Sequence, residues 1–519
     1  MPTTGGRPDI GPYPQWTSHY LTTQTEAAKR VMLANANAAG AIPWHFADDE
    51  TGAPISIERH PNFWAEERGR KPQYTPDRPH QDIFASSEGG WTPDQSHRPA
   101  LTAVPYLVTG DRYFADELAM QAAWSVFGRW PDLREGTLKS VDIEQVRESA
   151  WSLRDLSDAA FLLPDADPSK EYLKRVEAES LRLTKEKYID NDAMEAAGEL
   201  EGFFEEYIGR EPERISPWQN DYFVISLWLS ARRGDKNAEA LLLWSSNFHA
   251  RRFIDPSFDA DFAASYQFPA KDGQSQIPVS TWAALKTKIR IQNPSRESLE
   301  GYPGLASGYV GSAYAALTGI TSQTKSPIAF EALAALMRKS KNYMLWLESS
   351  NGGVHRNNNY IFKVTAPNGA QYSRQDIKWS NKADDEGNIV VGNNGAETLF
   401  GKSARDALFG LDGDDEITAG PGNDYINGGP GNDRLSGGDG HDIFAFTPMN
   451  SGTDHIIDFD PTEDQIHLTT GENLSAPKTQ FQLSEQQDGI HITFTNEGAT
   501  IILEGIYESA ALQGAILKF

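Results

Sequence analysis

The sequence predicts a multidomain protein: a mainly α-helical, α/α-toroid-like region followed by an all-β parallel β-roll. Three observations predict it. Six nine-residue repeats run in register between Gly392 and Phe446. Upstream, apolar residues recur at helical spacing in one segment after another. The charge divides along the same line, because the stretch from Asp384 to Phe519 holds 24 acidic and 5 basic residues, a net of −19 out of −26.

The helical segments come first. Helical periodicity is read in EAAKRVMLANANAAG, YFADELAMQAAWSVFGRW, DIEQVRESAWSLRDLSDAAFLL, SKEYLKRVEAESLRLTKEKY, NDYFVISLWLSARRG, AEALLLWSSNFHARRF, GYVGSAYAALTGI and AFEALAALMRKSKNYMLWL. Glycine or proline separates most of them, and LPDADPSKEY and ARRGDKNAEA each read as helix, short turn, helix. A run of roughly ten helices joined as hairpins predicts a toroid or related helical barrel over residues 1–380. The first hundred residues, rich in proline, glycine and aromatics, are expected to form long loops over one mouth. NGGVHRNNNYIFKVTAPNGAQYSRQDIKW reads as a hairpin or loop, and KADDEGN places a hinge in a linker over 381–391.

Within 392–446 the six repeats, which end at Ala445, read GNNGAETLF, GKSARDALF, GLDGDDEIT, AGPGNDYIN, GGPGNDRLS and GGDGHDIFA. Their sixth position is Glu397, Asp406, Asp415, Asp424, Asp433 and Asp442; their eighth is Leu399, Leu408, Ile417, Ile426, Leu435 and Phe444. Glycine, a carboxylate and one apolar residue at fixed offsets are the signature of a parallel β-roll wound around calcium. Glycine permits the tight turn, and the apolar residue of each short strand points inward. Successive repeats alternate between two sheets, so turns eighteen residues apart stack. This pairs Asp406 with Asp424, Asp415 with Asp433, and Asp424 with Asp442, with Glu397 and Asp415 as a weaker fourth site. The fourth-position glycines Gly413, Gly422, Gly431 and Gly440 join the expected metal-binding positions, carboxylate and carbonyl oxygens being the hard ligands that calcium takes. Ala404 stands at that position in the second repeat. Beyond the repeats, over 447–519, GIHITFT and ATIILEGI predict antiparallel strands that close the roll and protect its edge.

Composition narrows the function. With no cysteine there are no disulfides, thiolate metal sites or cysteine nucleophile. Nucleic acid is an unsuitable partner, since no basic stripe is present. The N-terminal MPTTGGRPDIGPYPQW lacks the pattern of a Sec signal, and no run of eighteen apolar residues predicts a membrane span. Self-repulsion in the acidic tail is expected to keep it unfolded until calcium binds.

The repeat segment closely resembles the RTX (repeat-in-toxin) family of calcium-binding β-rolls. The resemblance implies about three to four Ca2+ ions, export by type I secretion machinery through an uncleaved C-terminal signal, and folding outside the cell. ILEGIYESAALQGAILKF is compatible with such a signal. GTDHIIDFDPTEDQIHL is similar to the capping strands of serralysin-type rolls, with Asp454, Asp458 and Asp460 either calcium ligands or turn residues.

Several catalysts are excluded in the helical part: there is no H-E-x-x-H, no G-x-S-x-G and no phosphate-binding glycine loop. Four clusters remain. In GGWTPDQSHRPA, Asp94 and His97 lie in a loop, where histidine serves as acid or base or simply sits at the surface. In QVRESAWSLRDLSD, Arg147, Trp151, Arg154 and Asp158 share one helical face, which lines a cleft or carries an exposed Arg154–Asp158 pair. In SPWQNDYFVISLW, Trp218, Asp221 and Tyr222 precede an apolar run, with Asp221 a helix cap or a catalytic carboxylate. The fourth joins Tyr302 to His355, Asn357 and Asn358; the run NNNY resembles the N-N-H-x-Y pattern of helical-toroid alginate lyases, with Asn359 in place of its histidine.

The expected function is a secreted polysaccharide-degrading enzyme that cleaves a uronate-containing chain by β-elimination. Arg147, Arg154 and Asn357 are expected to neutralise the substrate carboxylate, and His97, His355 or Tyr302 to take the α-proton. Asp94, Trp151, Trp218, Tyr222 and Asn358 complete the substrate contacts. The alternatives are a glycoside hydrolase using Asp94 and Asp221, and a non-catalytic surface or glycan-binding protein.

Overall fold

The computed structural model describes residues 11–61, 63–64, 95–128, 145–190, 198–204, 214–264, 267–269, 279–292, 309–339, 364–372, 376–378, 382–383, 385–447, 452–468, 481–494 and 499–518. Among them, eleven α-helices precede the roll: α1 (Gln15–Thr23), α2 (Glu26–Asn37), α3 (Ala103–Thr109), α4 (Arg112–Phe127), α5 (Val146–Leu162), α6 (Lys170–Tyr188), α7 (Pro217–Arg232), α8 (Lys236–Ile254), α9 (Trp282–Gln292), α10 (Tyr309–Thr324) and α11 (Pro327–Lys339). Two short pairs of strands accompany them: β1 (Arg214–Ile215) with β2 (Phe268–Pro269), and β3 (Val364–Thr365) with β4 (Gln371–Tyr372).

The sequence marks several helix ends. In ARRGDKNAEA, Gly234 takes φ +103° at the end of α7, and Asp235 accepts the Ala238 N–H to cap α8. Asp111 caps α4 in the same way through the Tyr113 N–H, after Gly110 at φ +68°. Helices α5 and α7 form the centre, with α5 packed on α4, α6 and α7, and α7 on α5, α8 and α10. Apolar residues run right round α7, the pattern of an enclosed helix. Its polar residues are paired: Asn220 bonds the Phe204 backbone, Ser226 the Ala150 carbonyl and Ser230 the Glu177 carboxylate. No helix among the described residues is long and apolar enough to cross a membrane.

The C-terminal part is a two-sheet parallel roll. One sheet runs β18 (Ile516–Lys518), β14 (Gln465–Leu468), β12 (Ile443–Phe446), β10 (Tyr425–Asn427), β8 (Ala407–Phe409), β6 (Ile389–Val391) and β5 (Ile377–Lys378). The other runs β15 (Phe481–Glu485), β16 (Gly489–Phe494), β17 (Thr500–Glu504), β13 (Thr453–Ile456), β11 (Arg434–Ser436), β9 (Glu416–Thr418) and β7 (Thr398–Phe400). Register follows the repeat: Leu399 pairs with Ile417 and Ile417 with Leu435, while Leu408 pairs with Ile426 and Ile426 with Phe444. All six eighth-position side chains are fully buried between the sheets. Each contributes roughly 1.5–3 kcal/mol of apolar burial to a segment whose turns are polar.

The stretch read as a linker over 381–391 is instead part of the roll. Ile389–Val391 pairs in parallel with Ala407–Phe409, and Ala383 donates its N–H to the Phe400 carbonyl. Its apolar residues and its eighteen-residue offset from β8 place it in the sheet. At the far end β16 and β17 are antiparallel, but β17 also pairs in parallel with β13, so this hairpin extends the sheet as a further rung. The final strand β18 lies beside β14, which makes the C-terminal segment the edge strand of that sheet.

The two sheets face different surroundings. In β7, β9 and β11 the residues flanking the buried one are mostly exposed or half-buried, among them Glu416, Thr418 and Arg434. In β8 and β10 every residue is buried. That outer face packs on α11, where the Phe330 ring meets Phe409 at 4.9 Å and Tyr425 at 5.0 Å, both edge-on. Helical region and roll thus share a continuous apolar core.

Candidate metal centre and arginine–aromatic cluster

Each sixth-position carboxylate sits at the corner before a strand, and the eighteen-residue register stacks these corners. One hydrogen bond recurs. The backbone N–H of Glu397 donates to Oδ1 of Asp415, Asp406 to Asp424, Asp415 to Asp433 and Asp424 to Asp442, each at 2.8 Å. The Asn388 N–H reaches Asp406 at 2.7 Å. Beyond the repeats, Asp433 donates to Asp454 and Asp442 to Asp464, both at 3.0 Å. Two columns result: Asn388, Asp406, Asp424, Asp442, Asp464 along one edge, and Glu397, Asp415, Asp433, Asp454 along the other.

The second oxygen is in a different situation. Oδ2 of Asp415, Asp424, Asp433, Asp442 and Asp454 is buried without a hydrogen bond. An unpaired buried carboxylate oxygen is costly, and like charges stacked above and below add to the cost. Burial, with the neighbouring carboxylates, pushes Asp424 and Asp433 up to about 8. Burial raises Asp415 and Asp454 to about 7 and Asp442 to about 6. A Cβ on the first-position glycines Gly410, Gly428 or Gly437 would collide with Oδ2 of Asp415, Asp433 or Asp442, so glycine alone leaves that side open. At the fourth position, a Cβ on Gly431 or Gly440 would strike the carbonyl of Gly413 or Gly422, which holds successive coils in backbone contact. Gly431 itself accepts the Gly452 N–H at 2.8 Å. Among the described residues no three His, Cys, Asp or Glu side chains surround one point. A cation seated here therefore draws on stacked aspartates plus backbone carbonyls, a hard all-oxygen set suited to calcium.

The capping aspartates divide. Asp454 continues a column, whereas Asp458 accepts Ser436 Oγ at 2.6 Å and the Gly437 and Gly438 N–H groups at 3.0 Å, binding a turn. Asp460 closes its own turn through Thr462. Asp464 was missed by the sequence reading. Its signal is present: it stands two residues before buried Ile466, as Asp442 does before Phe444.

These raised carboxylates give the calcium-free roll a pH dependence. The folded roll holds protons more tightly than the unfolded chain, whose aspartates titrate near about 4. Their contribution is favourable at low pH and is lost as pH rises through 6–8. The β-signal of chelated protein should melt at a lower temperature at pH 8.5 than at pH 5.5. Calcium, which displaces those protons, should bind more tightly at pH 8.5. A calcium midpoint that does not move with pH would contradict this.

The profile of the RTX calcium-binding nonapeptide repeat, in four copies, matches residues 391–426 and 409–444. This segment carries RTX calcium-binding repeats. Among solved structures, the AlgE6R3 subunit of the mannuronan C5-epimerase from Azotobacter vinelandii is similar at 27% identity, over 25% of this chain and 81% of that one, with a TM-score of 0.21. The extracellular lipase LipA from Serratia marcescens is similar at 20% identity over 25% of this chain and 20% of that one, also at 0.21. The AlgE6R2 subunit of the same epimerase covers 23% of this chain at 27% identity and a TM-score of 0.18. No curated protein matches the chain. The helical region, which lies outside the RTX segment, is therefore read from its own residues.

There the structure brings three predicted clusters together. A 3₁₀ turn, Gln95–His97, lies against the start of α5, where the Ser96 carbonyl accepts Trp151 Nε1 at 3.3 Å and Ser96 Oγ meets Gln145 at 2.5 Å. The Arg147 guanidinium lies 5.2 Å over the Trp218 ring, and its backbone N–H donates to Gln219 at the start of α7. Tyr222 touches both Trp151, with centroids 4.7 Å apart, and Trp218. Asp94, Tyr302, His355, Asn357 and Asn358 lie outside the described residues.

Two expectations are corrected. The Arg147–Asp158 face is neither a solvent-lined cleft wall nor an exposed charged stripe. Arg154 is fully buried over Trp151, donating to Asp155 and to the Gly11 and Arg98 carbonyls, while Asp158 pairs with Arg233. Sequence spacing favoured Arg154–Asp158; packing against the turn after Gln95 and against the end of α7 selected other partners. Nor is Asp221 a cap. Helix α7 starts at Pro217, and Asp221 is 1% exposed, accepting from Arg252 on α8 and from Ser312 on α10. His249 lies 3.6 Å from it, held neutral by burial and by Arg252, down to about 3. Neither Arg252 nor His249 was singled out by the sequence, since both fall within an ordinary apolar helix pattern.

Proposed function

We propose that this chain is a secreted, calcium-dependent enzyme that degrades a uronate-containing polysaccharide by β-elimination. The observation that carries the reading is the meeting of Arg147, Trp151, Trp218 and Tyr222 at the N-terminal ends of α5 and α7, against the turn that carries His97. In this reading the buried rings of Trp151, Trp218 and Tyr222 hold Arg147 in place beneath the turn, and its guanidinium supplies a counter-charge. Such a counter-charge neutralises a uronate carboxylate, which acidifies the neighbouring C–H. His97, half-buried on that turn, is the group assigned to remove that proton.

The calcium side of the proposal is a set of three to four ions between stacked corners: Asp406/Asp424, Asp415/Asp433, Asp424/Asp442 and Glu397/Asp415. Export through type I secretion machinery in an unfolded form accords with a C-terminal strand, β18, that pairs with β14 only once the roll has formed. Calcium outside the cell would then fold the roll against α11.

Incubation with polyuronates in millimolar calcium should generate an unsaturated uronate that absorbs near the ultraviolet edge. His97→Ala is expected to reduce that rate by about 10²–10⁴-fold, with Arg147→Lys reducing it less than Arg147→Ala. Cleavage without the absorbance would assign the chain to hydrolysis, and retention without cleavage to binding.

A further inference from the structure

A cleft of about 650 Å³ lies where the helical region meets the roll. The end of α8, one side of α9 and one face of α11 form its first wall; turns of the RTX coils, at Asn394, Leu411, Asp412, Gly429 and Pro430, form the second. On α11 the positions Glu331, Ala335 and Arg338 follow at i, i+4 and i+7, so a single helix face points into the space. Glu331 is buried at its floor and accepts Thr447 Oγ1 of the roll at 2.5 Å.

The charges in the cleft are not equally committed. Asp255 is clasped by Arg251 at 2.7 Å and Asp259 stands 3.6 Å from Arg290, while Asp412 accepts only the neutral amide of Asn394, Nδ2 at 2.8 Å. Among the described residues, Lys286 and Arg338 form no ion pair. The walls between them carry the apolar surface of Phe253, Phe258 and Leu411. Two uncommitted cations, apolar faces and side-chain amides in one concave space suit a sugar ring bearing a carboxylate.

We propose that this interdomain cleft binds acidic oligosaccharide, with Lys286 and Arg338 holding a substrate carboxylate and the calcium-folded roll completing the site. This rests on the polyuronate reading above, but the cleft is separate from the arginine–aromatic cluster. The roll is then a wall of a glycan site as well as an export device. Affinity for glycan and affinity for calcium become linked, because only the folded roll presents the second wall.

The test is calorimetric titration of the full chain with hexamers of galacturonate, guluronate and mannuronate, and with a neutral glucan hexamer. In millimolar calcium, at least one uronate hexamer should bind. The double variant K286A/R338A should weaken it at least tenfold while leaving the calcium titration curve unchanged. Chelation should weaken it as much. The neutral hexamer should not respond to the double variant. Unchanged uronate affinity in K286A/R338A, equal affinity in chelator, or no uronate binding would each overturn the proposal. Turnover is scored separately on the same hexamers. Binding that depends on the two cations without cleavage would remove only the enzymatic reading, and cleavage with wild-type affinity in the double variant only this one.

Discussion

Asp424→Asn is expected to raise the calcium concentration needed to fold the roll by about tenfold or more, and Asp406→Asn to raise it distinctly less. Asp424 stands between two carboxylates, accepting the Asp406 N–H and donating its own to Asp442. Asp406 has a carboxylate on one side only, since the residue before it in the column is Asn388. Asparagine keeps the Oδ1 acceptor and the side-chain shape, so the comparison isolates the charge on the unpaired oxygen. Calcium titrations followed by circular dichroism give the two midpoints directly. Equal shifts would show that ions do not sit between adjacent rungs of this column.

The second large effect lies in the helical region. Asp221→Ala is expected to destabilise it by about 3–5 kcal/mol, because Arg252 would be left as a buried, unpaired charge between α7 and α8. Twelve of the 13 tryptophans precede β5, Trp379 alone following it, so tryptophan fluorescence during urea unfolding reads mainly the helical part. Excess calcium keeps the roll folded throughout. Were Asp221 a catalytic carboxylate instead, Asp221→Asn would abolish turnover with the unfolding midpoint unchanged. The expectation here is the reverse, a lowered midpoint.

The same spectroscopic division reaches the contact between the two parts. Removing calcium should unfold the coils that carry Phe409 and Tyr425 and so uncover Phe330 and its neighbours on α11. A protein of this design is more hydrophobic at its surface when stripped of calcium, which links folding of the roll to solubility of the whole chain.

By itself the sequence determined the roll, and it did so through periodicity. Nine-residue spacing puts one apolar side chain inward and one carboxylate at each corner, and eighteen-residue stacking follows because two sheets share the coils. Which outer face would be covered was also written there. Even repeats flank the buried residue with Ala407 and Phe409, Tyr425 and Asn427, or Ile443 and Ala445; odd ones use Thr398 and Phe400, Glu416 and Thr418, or Arg434 and Ser436, polar in all but Phe400. What only the tertiary structure decided are the partners of the buried charges. Arg154 with Asp155, Asp158 with Arg233 and Asp221 with Arg252 join groups set by the packing of α5, α7 and α8, and linear spacing carries no information about helices that meet across a core. Local repetition encodes a coil because each contact lies a fixed number of residues away, whereas a buried ion pair between distant helices exists only once the fold has brought them together.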